Sequence, residues 1–362
     1  MSATQGVESD DMSAGSVLGA TLAGKGSTTA VDLIADLCRR AWGIEGAFTR
    51  LASASDEVLR IDGADGRRYV LRLTSPRESP LVTDFQTRAL LHLNDVGGAL
   101  PVPRLIHTLD DRPMLRPDWP GTLPPTARLS TWLDGTSLHQ TPRSLAQAGA
   151  LGVTLARLGQ ALAGFDHPAA EHELDWDLRR TGQLAPLLRE ISAREGRALT
   201  ERAMQRFQDR VAPRLVSLRR QVIHNDLNPH NVLVSEHLPE RITGIVDFGD
   251  LVKTVLVADV AIAAAYLVSS GDEPLRLAEQ LVTAYHDVQP LTVNEIELLV
   301  PLMEARHLMT IAITEWRAAR NPENRASITK NTGQAWHALR VLDQISQERA
   351  TAHLLAACNE GI

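Results

Sequence analysis

In the run Ile223-His-Asn-Asp-Leu-Asn-Pro-His-Asn-Val-Leu233, Asp226 precedes Asn231 by five residues, and Asp247-Phe-Gly249 opens sixteen residues after Asn231. Transfer of a phosphoryl group from a nucleoside triphosphate needs a carboxylate to orient the acceptor hydroxyl and take its proton. It also needs hard oxygens to hold Mg²⁺ while charge is neutralised on the moving group. Asp226 suits the first task; the amide carbonyl of Asn231 and the carboxylate of Asp247 suit the second, in an order that recurs in such centres. Singly, each of these residues reads as a turn former or a helix cap. Jointly, at this spacing, they point to phosphoryl transfer.

Such side chains need rigid neighbours. Val222-Ile223 and Val232-Leu-Val234 read as short buried strands on either side of an irregular loop, Leu227 to His230. The apolar run Ile242 to Val246 delivers Asp247 to a Phe-Gly turn. His224 is expected to brace the loop through a hydrogen bond rather than to move protons itself.

These residues resemble the aminoglycoside phosphotransferase and choline kinase family, small-molecule relatives of protein kinases. Within it, His224 to Val234, Gly244 to Leu251 and Trp316-Arg-Ala-Ala-Arg-Asn-Pro-Glu-Asn324 look most like hydroxylysine kinase and the kinase domain fused to some aminotransferases. The resemblance runs from about Asp32 onward and is strongest at the two catalytic segments. It implies an α+β, two-lobed protein-kinase-like fold with a small β-rich N-lobe and a larger, mainly helical C-lobe. The corresponding division is a disordered tail (1–26), an N-lobe that clamps nucleotide (27–127), a hinge (128–136) and a C-lobe with catalytic loop and acceptor site (137–362). ATP or GTP as cosubstrate, Mg²⁺ as cofactor and a small hydroxylated amine or amino acid as acceptor, hydroxylysine first, follow from the same resemblance.

In the first lobe, Thr29 to Trp42 has apolar residues at helical spacing, and Phe48 to Ile61 and Arg68 to Leu73 read as strands around Asp62-Gly-Ala-Asp-Gly66. Alternation puts Arg72 on the face opposite Tyr69, Leu71 and Leu73. The family carries a phosphate-binding Lys or Arg there; a solvent-facing strand arginine is the plain alternative. Gln86 shares a helix side with Val82, Leu90 and Leu93 and aligns with the family's glutamate partner of that cation. A neutral amide orients a cation less strongly than a carboxylate, and a buried-edge Gln without that role is the alternative. Ser53-Ala-Ser55 stands where a glycine-richer phosphate loop is expected. Arg128-Leu-Ser-Thr-Trp-Leu-Asp-Gly135 resembles the segment between the lobes, which places Ser130 and Trp132 at the nucleotide site, with Trp132 either pocket lining or core.

Helical spacing covers Ser144 to Phe165, Leu174 to Ile191, Arg202 to Leu218 and most of the chain after Leu251. Val255 to Val268 reads as a buried helix containing Asp259, whose family counterpart braces the catalytic loop; an unpaired carboxylate there would be costly. Asp250 either supports the metal site or caps the next helix. Arg306, Thr310, Ile313 and Arg317 share a helix face. Either Arg306 or Arg317 binds an amino-acid carboxylate, with Glu315 meeting an amine, or these arginines make internal salt bridges. His307 and the turn Asn321-Pro-Glu-Asn324 carry no independent chemistry.

Apolar residues form 44% of the 362, enough for one large or two moderate cores. With 37 basic against 44 acidic residues, the charge does not suit a nucleic-acid partner, and a small cationic or zwitterionic substrate fits better. Cys38 and Cys358 are the two cysteines, which argues against a disulfide framework and for a reducing, cytoplasmic setting. Ser13 to Gly24 follows an acidic rather than a basic stretch, unlike an export signal, and Val255 to Val268 is too short to span a bilayer, so no membrane partner is expected. Within the Ser- and Gly-rich tail, Gly19-Ala-Thr-Leu-Ala-Gly-Lys-Gly26 nearly spells a P-loop, but Gly26 replaces the hydroxyl that would hold Mg²⁺. The motifs do not encode the oligomeric state or the acceptor, so a kinase of homoserine, choline, ethanolamine or an aminoglycoside is the near rival. A catalytically silent nucleotide-binding module is the distant one, and a protein kinase ranks last because no Ala-Pro-Glu segment follows Asp247.

Overall fold

The computed structural model describes residues 30–53, 56–119, 123–330 and 332–359. It divides into two compact units: the residues up to Thr87 with Arg104–Trp132, and Arg88–Pro103 with the residues from Leu133 onward. The tail, the near-P-loop Gly19 to Gly26, and Ala54 and Ser55 of the expected phosphate loop lie outside the described residues.

The first unit opens with α1 (Val31–Trp42), which buries Ile34, Leu37, Cys38 and Trp42 along one face. It ends where Gly43 takes a left-handed conformation (φ 66°) and returns its N–H to Arg39, a turn that glycine makes without steric cost. That face packs on Leu59, Ile61, Tyr69, Leu71, Leu73, Ala127 and Leu129 of an antiparallel sheet. Its strands are β1 (Gly46–Leu51), β2 (Glu57–Gly63), β3 (Arg68–Thr74), β4 (Leu105–Ile106) and β5 (Thr126–Thr131), in the order β1-β2-β3-β5-β4. The expected strand region Phe48 to Ile61 is thus two strands, paired through Leu51 and Val58.

Helix α2 (Pro80–Val96) is where the units divide. Its last turns and the following segment belong to the second unit, where His92 Nε2 meets Ala161 O at 2.9 Å and Ile245 N–H donates to Pro101 O at 2.7 Å. A segment counted with the first lobe on sequence order therefore takes its contacts from the second.

The second unit begins with β6 (Thr136–Ser137) and α3 (Leu145–Leu162), the latter started by a capping box between Ser144 and Gln147. Leu174 to Ile191, expected as an α-helix, is instead a 3₁₀ run over Leu178–Glu190 with Pro186 inside it, because proline offers no N–H to an α-helical ladder. Likewise the helix expected to reach Leu218 stops early. Here α4 (Arg194–Arg206) passes into a π turn, Phe207–Val211, and a 3₁₀ turn, Ala212–Ser217.

Two small sheets then frame the loop from His224 to Asn231. β7 (Arg220–Ile223) pairs with β10 (Val252–Val255), while β8 (Val232–Val234) pairs with β6 and with β9 (Ile242–Ile245). Val252–Val255 is a strand where helical spacing was expected, since Val252 stands opposite Ile223 in the β7 ladder. The remaining helices are α5 (Val257–Ala265), α6 (Arg276–Val288), α7 (Val293–Arg320), α8 (Arg325–Ile328), α9 (Thr332–Gln344) and α10 (Gln347–Asn359). All nine residues of α5 are buried. Among the described residues no helix is long and apolar enough to cross a membrane.

Candidate active site

The candidate catalytic loop leaves β7 at His224 and Asn225, and α5 holds both. Asp259 accepts the Asn225 N–H at Oδ1 (2.8 Å) and the His224 N–H at Oδ2 (3.1 Å). Asn225 has φ 64°, a conformation that costs a non-glycine residue about 1–3 kcal/mol and persists where surrounding contacts over-determine it. Burial of Asp259 raises its pKa above the usual carboxylate range, against the pull of these two N–H groups. His224 ties the loop to the Asp247 segment: Nε2 donates to Val246 O (3.1 Å), Nδ1 accepts the Asp226 N–H (3.3 Å), and the ring packs edge-on to Phe248. Val246 N–H also donates to Asn231 O at 2.9 Å.

Asp226 emerges from this frame with its carboxylate engaged on both oxygens. Oδ2 accepts from Asn228 Nδ2 (2.9 Å) and Asn231 Nδ2 (2.8 Å), and Oδ1 is ion-paired with Arg306 Nη2. Asn231 Nδ2 donates to Asp226 O as well (2.9 Å), which turns its Oδ1 away from Asp226. Asp247 takes φ 62° where β9 enters the turn Phe248–Asp250, and it is exposed while Phe248 is buried. The Asn231 carbonyl and the Asp247 carboxylate therefore sit on segments joined by a backbone hydrogen bond. Two such hard oxygens fit Mg²⁺, which keeps several waters and takes other ligands from phosphate. No group of three or more His, Cys, Asp or Glu that could cage a metal occurs among the described residues.

In the first unit, Arg72 stands between Val58 and Arg128 in the sheet register. Its Nη1 donates to Asp56 Oδ2 at 3.3 Å, and Asp56 Oδ1 accepts the Ser75 N–H at 3.1 Å. Gln86 is buried, with Oε1 accepting from Arg128 Nη2 at 3.1 Å. Arg128, itself buried, also donates to Thr74 and Thr87 hydroxyls. Ser130 is half-buried on β5; the Trp132 backbone N–H donates to Arg68 O, and the Arg60 guanidinium lies 5.6 Å over the Trp132 ring.

On α7, Arg306 Nε donates to Tyr266 Oη (3.2 Å), and its guanidinium lies 5.3 Å from the Trp176 ring centre. Burial opposes its charge, but Tyr266 and Asp226 outweigh that and raise its pKa. Arg317 lies 5.8 Å from the same Trp176 ring, and burial lowers its pKa. Thr310 Oγ1 bonds back to Arg306 O, and Ile313 is buried. Glu315 accepts from Arg325 Nη2 at 2.6 Å. The capping role for Asp250 is not realised: β10 intervenes, and the residue preceding α5 is Leu256.

The sequence profile described as the Phosphotransferase enzyme family (APH) matches residues 47–297. The chain belongs to that family. Its curated relatives include proteins named hydroxylysine kinase, from Mus musculus (24% identical over 320 residues, 82% of this chain and 85% of the relative) and from Danio rerio (24% over 306 residues, 80% and 85%). Among solved structures, the amicoumacin kinase hAmiN in complex with AMP-PNP, Ca²⁺ and Ami superposes with a TM-score of 0.67 at 14% identity, over 89% of this chain and 97% of that one. A microcompartment-associated aminopropanol kinase gives 0.63 at 17%, over 87% and 97%. The fold is thus the two-lobed, protein-kinase-like α+β fold, and the protein is a small-molecule phosphotransferase with an alcohol group as acceptor.

The sequence reading of this phosphotransferase named Arg128 only as the start of the inter-lobe segment and did not single out Asp56, Trp176 or Tyr266. Register would have exposed the first two, since Arg128 stands directly opposite Arg72 and Asp56 immediately precedes β2. Trp176 and Tyr266 belong to no motif, and only folding brings them to Arg306.

Proposed function

We propose that this phosphotransferase moves the γ-phosphoryl group of ATP or GTP, with Mg²⁺, to the hydroxyl of a small amine or amino acid, hydroxylysine being the first candidate. The observation that carries this reading is Asp226, a carboxylate fixed by Arg306, Asn228 and Asn231 on a loop that Asp259 anchors. Asp226 orients the acceptor hydroxyl and accepts its proton as the oxygen attacks in line. Asn231 and Asp247 would hold Mg²⁺, which supplies charge neutralisation on the phosphate oxygens. In the first unit, Arg72 is the phosphate ligand, steadied by Asp56, with Ser130 and Trp132 on the base side. Hydroxylysine is favoured by the names of the curated relatives, and ATP by the AMP-PNP in complex with hAmiN. A cytoplasmic setting agrees with two cysteines that are free and buried.

The test is turnover of Mg²⁺-ATP and Mg²⁺-GTP with 5-hydroxylysine, homoserine, ethanolamine, choline and kanamycin. Asp226→Asn should lower turnover by about 10³-fold while nucleotide binding is retained. Unchanged turnover in that variant would remove Asp226 from the mechanism. Nucleotide binding with no acceptor-dependent turnover would favour a silent module.

A further inference from the structure

Six buried side-chain polar atoms lack a hydrogen-bond partner among the described residues, and four of them belong to residues that adjoin Trp176 in the chain or in space. They are Asp175 Oδ2, Asn225 Oδ1, Arg306 Nη1 and Arg317 Nε. Asp175 precedes Trp176 in the chain, Asn225 Nδ2 donates to Trp176 O (3.3 Å), and the two guanidinium groups lie 5.3 and 5.8 Å from the Trp176 ring centre. Leaving a buried polar group unpaired costs about 1–3 kcal/mol, so such groups are few in native proteins and call for an explanation. Here two are donors on cations and two are acceptors, one of them on a carboxylate. That is the complement of a carboxylate beside an ammonium.

From this we infer that the acceptor is an α-amino acid gripped by its zwitterionic head group, with Arg317 taking the carboxylate and Asp175 the ammonium at Trp176. The inference rests on the kinase reading above and narrows its acceptor class. Arg317 and Asp175 are both half-buried; Arg317 Nε and Asp175 Oδ2 have no hydrogen-bond partner among the described residues, although the two opposite charges attract each other. Their burial disfavours both charges, lowering the Arg317 pKa and raising that of Asp175. Arg306 is the less suitable carboxylate ligand because Asp226 and Tyr266 already engage it. Glu315, the other candidate for the ammonium, is taken by Arg325. Arg306 joins the two ends of the site, touching Asp226 through Nη2 and facing Trp176 with the same guanidinium. An amino acid seated at Trp176 can therefore present a side-chain hydroxyl to Asp226, as hydroxylysine would with two methylenes between the α-carbon and the hydroxyl-bearing carbon. An amine without a carboxylate would leave Arg317 Nε without an acceptor and be disfavoured, since a site with polar groups placed for a partner rejects a ligand that lacks it.

The experiment is calorimetric binding of L-lysine, which carries the head group but no hydroxyl, against cadaverine, the same chain without the carboxylate. Wild type is expected to bind lysine and discriminate against cadaverine by about 100-fold, the worth of a charge-assisted two-bond contact. Arg317→Met should weaken lysine by a similar factor and raise KM for hydroxylysine with kcat little changed. Arg317→Lys should restore part of both, and Asp175→Asn should weaken lysine by about 10-fold. An unfolding transition matching that of wild type shows that each variant is folded; should Arg317→Met not fold, Arg317→Lys is compared directly with wild type. Equal binding of lysine and cadaverine, or lysine binding unaffected at Arg317, overturns the head-group site even where hydroxylated amines are phosphorylated. Lysine binding that follows the expected pattern without phosphorylation of any hydroxylated amino acid instead overturns the kinase reading and leaves the site standing.

Discussion

Removing the Arg306 guanidinium is the most direct probe of how Asp226 is held. The Arg306 side chain is 5% exposed and that of Asp226 18%, so the pair is largely out of water. Taking one partner from a buried ion pair costs about 3–5 kcal/mol, because the other charge is left without compensation. Asp226 keeps the amide donors of Asn228 and Asn231 and some contact with solvent, which argues for the lower end. The bond from Arg306 to Tyr266 would be lost too. Arg306→Met is therefore expected to destabilise the second unit by about 3 kcal/mol, a fall in Tm of about 6–12 °C for a body of this size.

A double-mutant cycle isolates the pair. In an Asp226→Asn background the same substitution removes a cation that no longer faces a carboxylate, so the two losses should overlap by about 2 kcal/mol. Calorimetric unfolding of the two single variants, the double variant and wild type supplies the four terms. A coupling below about 0.5 kcal/mol would refute the claim that this ion pair, rather than the loop backbone, fixes the Asp226 carboxylate.

Asp259→Asn leaves one side-chain oxygen for the two N–H groups of His224 and Asn225 and points an NH₂ at the other. It should cost about 3 kcal/mol by thermal unfolding and lower turnover together with stability; unchanged values would mean the loop holds its shape without α5. His307 is fully buried, with Nε2 donating to Ala265 O and its pKa pushed down to about 4 by desolvation. The unfolded chain takes up this proton near pH 6.5 and the folded chain only near pH 4. The stability His307 contributes is thus complete above pH 6.5 and is lost as pH falls, by about 3 kcal/mol in all. Asp259, with a raised pKa, acts with the opposite slope, so the readout is the difference in Tm between wild type and His307→Gln across pH 7.5 to 4.5. Parallel curves for the two proteins would show that His307 does not titrate as burial requires.

The proposed catalytic residues stand out in the sequence because phosphoryl transfer demands particular types at separations fixed by a single loop. Asp226 and Asn231 lie five residues apart, and the Val246 to Asn231 hydrogen bond joins that loop to Asp247. Partners that only folding brings together leave no such trace: Asp226 and Arg306 are 80 positions apart, and Gln86 and Arg128 are 42 apart. Periodicity placed Arg306 and Arg317 on one face of α7, but a helical period says nothing of what stands opposite, which here is Trp176 for both and Asp226 for one. The misread elements have the same origin. Leu178–Glu190 keeps an apolar spacing close to that of an α-helix while Pro186 interrupts the ladder, and Val252–Val255 is a strand through its partner β7.

Arg306 and Arg317 share one helix, α7. In the proposed mechanism Arg306 positions Asp226, and in the head-group site inferred above Arg317 holds the acceptor, so α7 fixes the distance between Asp226 and the acceptor's α-carbon. Changing the length of the accepted side chain would then require a shift of Trp176 or of the helix, not exchange of either arginine. A Trp176 variant of smaller volume is accordingly the place to look for altered chain-length preference at unchanged dependence on Asp226, and a preference that moves with Arg317 alone would break that geometric link.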